Sequence, residues 1–67
     1  MYIVIELQKN AEGKVSNIVT EHDTLAVAES KYHSILAAAA VSEIPVHSAM
    51  IVSEEAFPVK NQCYKHQ

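Results

Sequence analysis

Thr24–Ser42, TLAVAESKYHSILAAAAVS, is the one stretch of this chain long and periodic enough to form a helix, and the segments around it read as short strands. At ~100° per residue, Leu25, Ala28, Tyr32, Ile35, Leu36 and Ala39 fall on one face, which is expected to pack on a sheet. Asp23 or Thr24 can cap the start by accepting from the free N–H groups of the first turn. Pro45 cannot continue the helix and steers Ile44 toward extended geometry, so the helix should end between Val41 and Glu43.

The opposite side of this helix carries Ala26, Val27, Ser30, Ser34, Ala37, Ala38 and Val41, without a charge among them; Glu29, Lys31 and His33 fall on its flanks. Alanine is the best helix former, which alone accounts for a run such as Ala37–Ala40. Small side chains also let a second helix approach closely, and the length of the chain favours that use. A 67-residue chain is a single domain, spanning 1–67, and a core of this size rarely supplies more than about 3–5 kcal/mol without a disulfide, a metal or a partner. Cys63 is alone, which excludes an intrachain disulfide, and the four histidines are too scattered for a structural metal site. A homo-oligomer is therefore expected, with Ala26, Ser30, Ser34, Ala37, Ala38 and Val41 at the interface.

Tyr2–Gln8 alternates, with Ile3, Ile5 and Leu7 on one face and Tyr2, Val4, Glu6 and Gln8 on the other. Both faces are partly apolar, which suits a central strand. Lys9–Lys14 holds the only glycine, Gly13, where a hairpin loop needs a positive φ. Val15–His22 returns as a more polar strand fit for an edge. After Pro45, Val46–Val52 forms a third strand, Glu54–Ala56 a turn and Phe57–His66 a fourth strand. The expected fold is α+β, ββαββ, a four-stranded antiparallel sheet in the order 2-1-3-4 with one helix on one face. Its expected core is Ile3, Ile5, Leu7, Tyr32, Leu36 and Ile51.

Charge and motifs narrow the function. A net charge of -3 and the absence of arginine disfavour a nucleic-acid surface, and no apolar run approaches the ~20 residues of a membrane span. The first residues lack the positive start of a signal peptide, and a lone cysteine suits a cytoplasmic protein. Neither a nucleophile elbow nor a glycine-rich phosphate loop nor a paired-histidine zinc motif occurs, so no catalytic residue, metal or cofactor is assigned and the chain reads as non-enzymatic. The denser polar cluster is Glu29, Lys31, Tyr32 and His33 on the helix with His47 at the start of the third strand. These residues suit the rim of a ligand pocket; equally, Tyr32 suits a core and His47 a satisfied strand histidine.

Ala28–His33, Ile35–Ser42 and Pro45–Ala49, with the pattern from Met1 almost to Gln67, resemble the short proteins carried by phages and prophages of Gram-positive bacteria. That resemblance implies an accessory protein acting in the host cytoplasm. One subset, the sponges that sequester nucleotide immune signals, is similar in style, being compact homo-oligomers with pockets between subunits. It implies sequestration of a small nucleotide-like ligand and carries over no residue roles; the polar cluster of Lys31, Tyr32, His33 and His47 is the expected ligand site on its own reading. The alternative is a protein-binding or structural module, a host-factor inhibitor or a virion or assembly component, with no small ligand.

Overall fold

The computed structural model describes residues 1–66. Strands β1 (Tyr2–Lys9) and β2 (Val15–His22), helix α1 (Leu25–Val41), and strands β3 (Val46–Ser53) and β4 (Pro58–Lys65) follow one another along the chain. The strands form one antiparallel sheet in the order β2-β1-β3-β4. The topology is the expected one, and the reasons are local. Gly13 takes φ 86 in the first hairpin, where the Asn10 side chain accepts from the backbone N–H groups of Glu12 and Lys14. Thr24 is the N-cap of α1, its hydroxyl accepting from the Val27 N–H at 3.3 Å. Ser42 closes the other end with its N–H on the Ala39 carbonyl, three residues ahead of Pro45. Thr24→Ala should cost about 1 kcal/mol, read as a lowered urea midpoint with an unchanged slope.

The helix lies on the sheet by the predicted face: Ala28, Tyr32, Ile35 and Ala39 are buried, and Leu25 and Leu36 pack partly buried beside them. Beneath them sit Val4 of β1 and Ala49 and Ile51 of β3. Ala28, Ala39 and Ala49 have small side chains, which leaves Tyr32, Ile35, Ile51 and Val4 as the bulk of the core.

One part of the expected core is corrected. Ile3, Ile5 and Leu7 point to the side of the sheet away from the helix, and Val4 takes their place beneath it. Successive side chains of a strand alternate in face, and the β1–β3 register sets Val4 opposite Ile51 and Ile5 opposite Met50. With Ile51 fully buried under α1, Val4 must share its face and the odd-numbered residues must lie on the other. Tyr32 and Ile51 are core residues as expected, and Leu36 is at the core's margin.

Candidate functional site

Two features stand out: the uncovered face of the sheet and a polar cluster at the end of the helix. On the uncovered face, four rows run across the strands. Glu21, Ile3 and Val52 form the first, and Val19, Ile5, Met50 and Asn61 the second. Asn17, Leu7, Ser48 and Cys63 form the third, and Val15, Lys9, Val46 and Lys65 the fourth. The middle of this face is apolar and its charges stand at the rim. Val15 is 57% exposed, Val19 55% and Leu7 38%, although β-branched and large apolar side chains in a sheet normally find cover. A depression of about 230 Å³ opens among Leu7, Ser48, Met50, Asn61 and Cys63. It is smaller than the ~300–1,000 Å³ of ordinary small-molecule sites, and its size suits an inserted side chain.

The polar cluster is built from three elements. His47, only 3% exposed, points under the helix end, with Nε2 2.7 Å from the Glu6 carboxylate of β1 and Nδ1 3.2 Å from the Ser42 hydroxyl. A carboxylate only accepts, so Nε2–H is the donor to Glu6. Nδ1 then accepts from Ser42 when the ring is neutral, and donates to it when the ring is protonated, leaving the hydroxyl to donate to the Ala39 carbonyl at 3.3 Å. Gln8 donates a second hydrogen bond to Glu6 at 2.9 Å. Burial pushes the Glu6 carboxyl up, but the hydrogen bonds from His47 and Gln8 and the charges of His47 and Lys31 outweigh it, so the net shift is downward. The cluster ties the helix C-terminus to the two central strands.

The four residues expected at a ligand pocket are thus divided. His47 is buried and both of its ring nitrogens have partners, and Tyr32 is a core residue whose hydroxyl is raised first by burial. The burial of His47 follows from the register that turns the odd-numbered face of β3 toward the helix, and that of Tyr32 from the helix face that packs on the sheet. Lys31 is half-buried and His33 exposed, with the His33 ring edge-on to Tyr32 at 5.4 Å. None of the four lines the depression on the open face, nor a wider hollow of about 480 Å³ between the first hairpin and Pro45, which carries Lys9 and His66. Ala26, Ser30, Ser34, Ala37, Ala38 and Val41 are all exposed on the outer side of the helix, Val41 at 83%.

Glu6 and Ser42 are the residues that the sequence did not single out. Glu6 is the only charge on its face of β1, but its partner lies 41 residues away and only the strand register brings the two together. Among the described residues, no helix is long and apolar enough to cross a membrane. No protein-family model matches the chain, and searches of curated proteins and of solved structures return no match either.

Proposed function

We propose that the protein is a non-enzymatic protein-binding module, an accessory or assembly subunit of the phage type, whose working surface is the uncovered face of its sheet. One observation carries this: the bulkiest apolar side chains of the central strand, Ile3, Ile5 and Leu7, stand on the side that has no helix. A chain that buries little beyond Val4, Tyr32, Ile35 and Ile51 gains most by covering that second face. In a lysate of cells producing it, the native protein should elute as an assembly larger than one chain. Ile5→Lys, which sets a charge in the middle of the face, should shift it to the position of a single chain. Elution of both proteins at single-chain size contradicts the proposal.

The nucleotide-sequestering alternative is favoured by a narrower observation, the exposed His33 edge-on to Tyr32, with the half-buried Lys31 on the same turn of the helix. A ligand that binds only the folded state, at a hundred times its Kd, adds about 2.7 kcal/mol, which raises the melting midpoint of so small a domain by about 10 °C or more. A melting screen against cyclic dinucleotides and ADP-ribose derivatives should leave the midpoint unmoved. A rise abolished by Lys31→Ala and His33→Ala would replace the protein-binding module with the sequestering one.

A further inference from the structure

We infer that the occupant of the open face is a second copy of this chain, the two sheets packing face to face in a two-fold dimer with their helices outward. This rests on the open face being a docking surface, and adds what docks there. Size comes first. The two longer Cα extents of the molecule, 34 and 20 Å, bound a face of at most about 700 Å², so two aligned copies bury up to about 1,400 Å², which reaches the ~1,200–2,000 Å² of stable interfaces.

Charge is the second argument, because a two-fold interface must be complementary to itself. Glu21 stands at the start of the face on β2 and Lys65 at the diagonally opposite corner on β4. A two-fold axis in the plane of the face and perpendicular to the strands lays the Glu21 end of each copy over the Lys9 and Lys65 end of the other. That axis leaves the strands of the two sheets nearly aligned, which is one of the two ways in which sheets pack and covers the whole face. The apolar middle then meets itself, Ile5 and Met50 lying close to the axis, and the depression beside Leu7 receives side chains from the facing copy. Between two sheets about 10 Å apart there is no room for water over such side chains. The outer face of the helix offers a second copy much less, since alanines and serines remove little apolar surface when covered.

Sedimentation of the purified protein at micromolar concentration tests this. The wild-type chain should sediment as twice 7.4 kDa. Ile5→Lys should raise the dimer Kd more than about a hundredfold, because each copy would bury an unpaired charge. Val19→Lys, at a position half-exposed in the single chain, should do the same while leaving the circular dichroism of the fold unchanged, which covers the case in which Ile5→Lys does not fold. Ala38→Glu, on the outer helix face, should leave the dimer intact. A wild-type monomer overturns the inference, as does a dimer that survives Val19→Lys or dissociates with Ala38→Glu. Should the purified chain be a monomer while the lysate assembly forms and is lost with Ile5→Lys, the open face is a docking surface for a different protein. Should both experiments find single chains, the docking surface itself falls.

Discussion

Ile51→Ala should cost the fold about 2–5 kcal/mol, the largest effect expected of any single truncation in this chain. Ile51 is fully buried between α1 and the sheet, opposite Val4, and is one of the two largest side chains with no exposed surface. Its loss removes the transfer free energy of the deleted carbons and leaves a void that the surrounding backbone cannot close, since β1 and β4 hold both edges of β3. The whole domain has about 3–5 kcal/mol to lose, so the variant should be largely unfolded at 25 °C in dilute solution. Urea titration followed by circular dichroism checks this. A midpoint within error of the wild type would mean that Ile51 is not beneath the helix.

Opening the Glu6–His47 pair should be nearly as damaging. The two side chains are 14% and 4% exposed, and leaving a buried hydrogen-bonding group without its partner costs about 1–3 kcal/mol, more when that group is a carboxylate. His47→Ala leaves the Glu6 carboxylate with Gln8 as its remaining hydrogen-bond donor and the Ser42 hydroxyl with the Ala39 carbonyl alone. The dependence on pH has a definite sign. Glu6 has a folded-state pKa below the ordinary 4.5, so it stabilises the protein fully above that value and loses the contribution as pH falls through the lower, folded value. Glu6→Gln should therefore be clearly less stable than the wild type at pH 7, and the difference should shrink once pH drops below about 4.5. Urea midpoints at neutral and acid pH measure it; a gap that stays constant, or widens in acid, contradicts the pairing.

What the sequence makes legible here follows from which contacts are local. The helix, its Thr24 cap, its termination before Pro45 and the Gly13 hairpin each depend on residues a few positions apart, and all stand as expected. The strand order follows from polarity, since β2 is more polar than β1 and belongs at an edge. The face of β1 is another matter. Alternation separates Ile3, Ile5 and Leu7 from Tyr2, Val4 and Glu6, but both sets are partly apolar and bulk favours the wrong one. The deciding information lies in β3, where small Ala49 and buried Ile51 share the side of His47 and fit beneath a closely packed helix. Reading that from the sequence requires the β1–β3 register, which no short-range pattern supplies. The same gap hides the Glu6–His47 contact that makes His47 an interior residue, whereas the burial of Tyr32 is legible in the helix face. If two copies pair by their open faces, Ile3, Ile5 and Leu7 do become core residues, in a second core that one chain cannot make.

The most direct measurement is therefore of contacts between copies. A sample mixed from methyl-labelled and unlabelled chains reports, in an isotope-filtered NOE spectrum, only the contacts that cross from one chain to another. Cross-peaks from the methyls of Ile5 and Leu7 to Met50 and Val19 are the expected result, with none from Ala37 or Ala38. Intermolecular cross-peaks confined to Ala37, Ala38 and Val41 would contradict it and place the partner on the helix.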